Sequence, residues 1–183
     1  HLSIMGVKVL GDGALGSRGS ALLEDYSDDP GNRGSYRFTD EEIYNVMSLA
    51  YNNGYQIAYH AIGDGANHQV LNTYERLLKE NPREDPRLRI EHFQVVTPED
   101  IDRALELGIL TAMQFTHATS DLSMAEDRLG PERIQTAYAW RTVLDKGGII
   151  IGGSDAPVEM VNPFHGLYAG VTRMTRAGEP EGG

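Results

Sequence analysis

The chain has 183 residues, 40% of them hydrophobic, enough for one domain with a sizeable core. Twenty-seven acidic against 16 basic residues give a formal charge of −11, which disfavours nucleic acid and anionic membrane as partners because both need a basic footprint. There is no cysteine, so disulfides, thiolate catalysis and cysteine-ligated metals are excluded, and any metal must be held by His, carboxylate or a less usual group.

Short apolar runs then alternate with longer segments of helical period, the pattern of βα units around a parallel sheet. The first strand is "IMGVKVL", residues 4–10, followed by the long loop "GDGALGSRGSALLEDYSDDPGNRGSYR". "TDEEIYNVMSLAYNNG" reads as a helix, with Thr39 as N-cap, acids in the first turn and Gly54 as the stop. The strand "YQIAYHA" precedes a second helix, "DGANHQVLNTYERLLKENP", with Asp64 as its expected N-cap and Pro82 as its limit. "LRIEHFQ" is the third strand, and "TPEDIDRALELG" the third helix, with Thr97 as cap and Pro98 at the first helical position. "GILTAMQF" is the fourth strand, and the "THATSDLSMAEDRLG" that follows is expected to be a loop. "GPERIQTAYAWRTVLDKGG" reads as one further helix, "GGIIIGGSD" as the fifth strand and "NPFHGLYAGVTRMTR" as the last helix. No apolar run approaches the roughly 18 residues of a membrane span and the opening residues do not read as a signal peptide, so a cytoplasmic location is expected.

Both long loops follow the C-terminal ends of strands, where α/β folds place their sites. Four strands end in a residue that is costly to bury without cause: Lys8, His60 in "YHAIGD", His92 in "IEHFQ" and Asp155 in "GGSDAP". Two imidazoles, a carboxylate and a lysine at one mouth suit a borderline metal ion, except that an ammonium is no ligand. A neutral amine that has captured carbon dioxide resolves this, because a carbamate is anionic and has two oxygens with which to bridge metal ions.

The order lysine, histidine, histidine, aspartate at successive strand ends, set within "DGALGSRGSAL", "HAIGDGANHQVL", "RIEHFQ", "THATSD" and "GGSDAPVE", resembles the metal-dependent amidohydrolase superfamily. Its nearest branch is the one with N-substituted formamide deformylase and exoenzyme-regulatory-type proteins. The resemblance implies a (β/α)₈ barrel of TIM type. It makes Lys8 the carbamylated strand-four ligand, His60 and His92 the strand-five and strand-six ligands, and Asp155 a strand-eight ligand and acid/base. It further implies one or two divalent ions, zinc being the expected metal, and hydrolysis of a C–N bond in an amide-like small molecule through metal-activated water. His117, Asp12 and Arg18 are candidate substrate-binding residues. The family's opening His-x-His pair is missing, since no two of the six histidines are two apart. Residues 1–183 are therefore expected to be a partial α/β barrel of about five strands, without the N-terminal strands and the small β-sandwich domain. Such a piece would pair with itself or with the missing part of the barrel.

Each residue also has a plainer role. Lys8 would snorkel to the sheet edge, His60 and His92 would be core histidines satisfied by backbone, Asp155 would cap a turn, and His117 would serve its loop. Glu91 would pair with a neighbouring strand or orient a ligand. His68 and His165 fall within helices and suit surface or packing roles. "GDGALG" is formally a dinucleotide-binding GxGxxG, but no crossover helix opens on its glycines, and no GxSxG elbow exists. A non-catalytic regulatory or interaction module that keeps the barrel's shape is the alternative function.

Overall fold

The computed structural model describes residues 1–182. Five parallel strands, β1 Gly6–Leu10, β2 Gln56–Ala61, β3 Arg89–His92, β4 Leu110–Met113 and β5 Ile150–Gly152, form one sheet in the order β1-β2-β3-β4-β5. Strand order equal to sequence order, with helices between strands, is how a (β/α) barrel wall is laid down. The expected partial α/β barrel of about five strands is thus observed.

Alternation along each strand decides what goes where. Val9, Ile57, Tyr59 and Ile90 are buried and join the core with Ile43 and Met47 of α1 (Asp40–Asn52), Val70, Leu71 and Tyr74 of α2 (Asp64–Glu80), and Ile101 of α3 (Pro98–Glu106). Each such side chain contributes about 1.5–3 kcal/mol on burial. Lys8, Leu10, His60 and Glu91 lie on the other face, and Leu10 and Lys8 are exposed there. Thr39 caps α1 in a reciprocal box with Glu42, and Thr97 caps α3 with Pro98 in its first turn.

Three expectations are corrected. The N-cap of α2 is Gly63, and Asp64 instead accepts from the backbone N–H of Leu23, tying the long loop to the helix. The segment after β4 is no plain loop: it holds α4 (Phe115–Ser120) and the start of α5 (Ala125–Arg133). The single helix expected from Gly130 is broken into the end of α5, a 3₁₀ turn at Ile134–Thr136 and α6 (Trp140–Asp145). The break at Tyr138 has a cause, because its backbone N–H donates to the Gln94 carbonyl and its φ is 51°. A last helix, α7, spans Pro163–Thr172.

The loop 11–39 is pinned at its start and at its middle. Gly11 packs so closely on Tyr59 that a Cβ would sit 2.4 Å from its ring, which explains the first glycine of "GDGALG" without any phosphate. Arg133 donates to the carbonyls of Glu24 and Asp25, and Arg128 pairs with Asp28, fastening the loop to α5. No helix among the described residues is long and apolar enough to cross a membrane.

Candidate metal centre

His60 and His92 come from adjacent strands whose register places Ala61 opposite His92. Their rings meet edge to face with centroids 4.4 Å apart. His117, on α4, stacks on the other side of His92 at 5.7 Å. Asp155 follows β5 in a tight turn, and its Oδ2 lies 4.0 Å from His92 Nε2. Three of the residues singled out on strand ends are thus neighbours, with His117 beside them.

The backbone at this site is strained. His92 has φ 78°, Phe93 45° and Asp155 51°, all in the left-handed region that non-glycine residues avoid. Such conformations cost on the order of 1–3 kcal/mol each and persist where packing over-determines them, which is typical of sites. Phe93, fully buried, supplies that packing.

The imidazoles carry the clearest signal. Nε2 of His60, His92 and His117 is buried in each case without a hydrogen-bond partner. Leaving a polar atom so costs about 1–3 kcal/mol. Asp12 Oδ1 is 3.1 Å from His60 Nε2, yet without the alignment of a hydrogen bond. His92 donates or accepts at Nδ1 with Gln114 Oε1, 2.7 Å away. Burial first, then the nearby His60 and His117, push the His92 imidazole down to about 3, and the charge of Lys8 adds to this. His92 is neutral near pH 7, the state in which an imidazole binds metal.

The other predicted residues have defined surroundings. Lys8 pairs in register with Ala58 on the exposed face of the sheet, one same-face position before Leu10, which is opposite His60. Asp12 is buried and accepts from three backbone N–H groups, those of Ala21, Ile62 and Gly63, so it joins the loop to the end of β2 while touching His60. Arg18 makes a two-pronged pair with Asp28 at 2.8 and 3.1 Å within the long loop. Asp155 uses its backbone oxygen for the following turn and leaves its side chain partly exposed. Glu91 pairs with Arg89 on its own strand. His68 sits exposed beside Asp100, and His165 lies partly buried on α7.

Among the described residues, no three His, Asp or Glu side chains already converge on one point as a metal-binding set. Two unpartnered imidazole nitrogens at buried positions and a partly exposed carboxylate nevertheless fit a divalent ion in chemistry. The sequence reading missed a polar layer under the histidines. Gln94 and Tyr138 both donate to Asp121 Oδ2, at 3.0 and 2.7 Å, and burial raises the pKa of that carboxyl. Gln114 directly follows β4, so strand-end reasoning would have found it had it been applied to amides.

Residues 1–182 match the model of a family described as the amidohydrolase family. YtcJ of Bacillus subtilis (strain 168), named a candidate amidohydrolase, is 41% identical over 92% of this chain and 31% of its own length. LONG AFTER FAR-RED 3 of Arabidopsis thaliana is 36% identical over 94% of the chain and 30% of its own length. The solved structure of an uncharacterized metal-dependent hydrolase from Pyrococcus horikoshii OT3 superposes with a TM-score of 0.83 at 31% identity, over 93% of this chain and 33% of that one. The chain thus spans about a third of the length of the relatives it matches.

Proposed function

The chain belongs to the amidohydrolase family, and from that premise we propose that it carries part of the metal centre of a hydrolase that cleaves a C–N bond in an amide-like small molecule. The observation that carries the reading is the pair of buried, unpartnered Nε2 atoms of His60 and His92 beside Asp155. The structural likeness to a protein described as a metal-dependent hydrolase supports the ion, and the motif resemblance to formamide deformylases supports the bond.

In this reading His60 and His92 would hold a divalent ion, zinc by preference, and Lys8, as a carbamate, would add an anionic ligand. A bound ion supplies Lewis acidity, bringing a water towards a pKa of about 7 and polarising a carbonyl. Asp155 would take one proton from the attacking water as the C–O bond forms and return it to the leaving nitrogen as the C–N bond then breaks, the other water proton remaining with the acid product. His117, stacked on His92, orients the substrate carbonyl. Asp12 and Arg18 shape the loop over the mouth. The remaining ligands and the closure of the barrel come from polypeptide beyond these five strands.

The test is metal analysis and turnover of the full-length protein with N-formyl and N-acyl amines. Zinc or a similar ion should co-purify, Asp155→Asn should lose turnover, and Lys8→Ala should lose both metal and turnover. Normal metal content and turnover in Lys8→Ala would overturn the carbamate role. The alternative reading is a non-catalytic module that keeps the barrel's shape, and full-length protein that binds no metal would favour it.

A further inference from the structure

We infer that Gln114 is a positioning residue for the metal centre: its amide oxygen fixes the proton of His92 on Nδ1 and thereby leaves the lone pair of Nε2 aimed into the site. The inference deepens the proposed metal-dependent reading and rests on it for the ion alone. Its basis is the contact of Gln114 Oε1 with His92 Nδ1 at 2.7 Å, both residues being buried.

The amide orientation is fixed by a second contact. Gln114 Nε2 is 3.3 Å from the Ala112 carbonyl oxygen, which can only accept. Turning the amide over would set two oxygens against each other there, so the atom facing His92 is the oxygen. An oxygen facing Nδ1 demands an N–H from the ring. A neutral imidazole has only one, and Nε2, which has no partner of its own, is left as the free acceptor. The backbone adds to the hold: Gln114 directly follows β4 and its carbonyl accepts the N–H of His117 at 3.1 Å, so the residue that sets the His92 proton also starts the turn bearing the ring stacked on His92. A metal-bound imidazole is normally oriented in this way by a partner on its other nitrogen, and loss of that partner weakens metal binding about 10–100-fold.

The test uses the full-length protein labelled with ¹⁵N-histidine, stripped of metal with a chelator, and read by long-range proton–nitrogen correlation. His92 in the native protein should show the Nδ1–H pattern. Gln114→Leu should shift His92 towards the Nε2–H form and weaken zinc binding, measured by competition with a chromophoric chelator, by 10-fold or more. Gln114→Glu, which keeps an acceptor oxygen towards His92 but loses the donor to the Ala112 carbonyl, should keep the Nδ1–H pattern and weaken zinc binding less than the leucine variant does. If the leucine variant fails to fold, Gln114→Met, of closer shape, takes its place. An unchanged Nδ1–H pattern in the variant lacking an acceptor overturns the proposal, and so does equal weakening by Leu and Glu, which would mean packing alone. Native protein that binds no zinc would overturn the metal reading, while the tautomer measurement would still decide the role of Gln114.

Discussion

At the scale of single residues, the site is a set of groups held in states that water would not favour. His92 is the sharpest case, with its imidazole held neutral to about pH 3 in the fold against about 6.5 when free. The unfolded chain therefore binds a proton at this residue between those values and the folded chain does not. The fold has its full stability above about pH 6.5 and loses it progressively as pH falls towards 3. One such group loses up to about 1.4 kcal/mol per pH unit, hence about 2 kcal/mol between pH 6.5 and 5. Urea unfolding at the two pH values should show that slope in the metal-free protein, and His92→Asn should flatten it. An equal slope in the variant would assign the effect to other groups. These residues were legible in the sequence because each is chemically out of place at a strand end. Tyr138 was not, since a tyrosine between two helical segments is unremarkable until its partners, distant in sequence, are known. Nor could the sequence foretell that Asp12, read for the substrate loop, accepts three backbone N–H groups.

At the scale of elements, legibility followed local signals. Thr39 with Glu42, and Thr97 with Pro98, announce helices because capping chemistry acts within four residues. Thr39→Ala should cost about 1 kcal/mol, read as a lowered urea midpoint at unchanged slope. The segments misread are those decided at long range. α4 has a threonine- and serine-rich sequence of poor helix propensity, yet it packs against α7, where Phe115 lies so near Gly170 that a Cβ there would be 3.1 Å from its ring. The expected helix from Gly130 breaks because Tyr138 is drawn to Gln94 and Asp121, which no local signal encodes. The same long-range logic fastens the loop 11–39. Arg133→Ala removes donors to the carbonyls of Glu24 and Asp25 and to the Ser27 hydroxyl. Hydrogen exchange should then speed up at residues 23–33 and stay unchanged in α1 and α2, whereas uniform loss of protection would mean that Arg133 supports the whole core.

At the scale of the whole molecule, burial is lopsided. The sheet face towards α1, α2 and α3 is closed, while β1 and β5 each pair on one side only. Apolar side chains flank both: Leu2 is 87% exposed ahead of β1, and Val161, Phe164 and Val171 are 77%, 72% and 86% exposed after β5. Unpaired strand edges next to bare apolar surface recruit further strands, and a net charge of −11 opposes this only while it is unscreened. We therefore propose that the chain expressed by itself self-associates through these edges, and that in the whole protein they meet the rest of a barrel. Charge repulsion reaches about 10 Å at 0.1 M salt and about 3 Å at 1 M, while the apolar drive does not weaken with salt. Association of residues 1–183, followed by light scattering, should thus strengthen as salt is raised. Co-expression with the remainder of the polypeptide should abolish it and also remove dye binding to the exposed apolar surface. A chain that stays monomeric at high concentration in 1 M salt would show that these edges are protected without any partner.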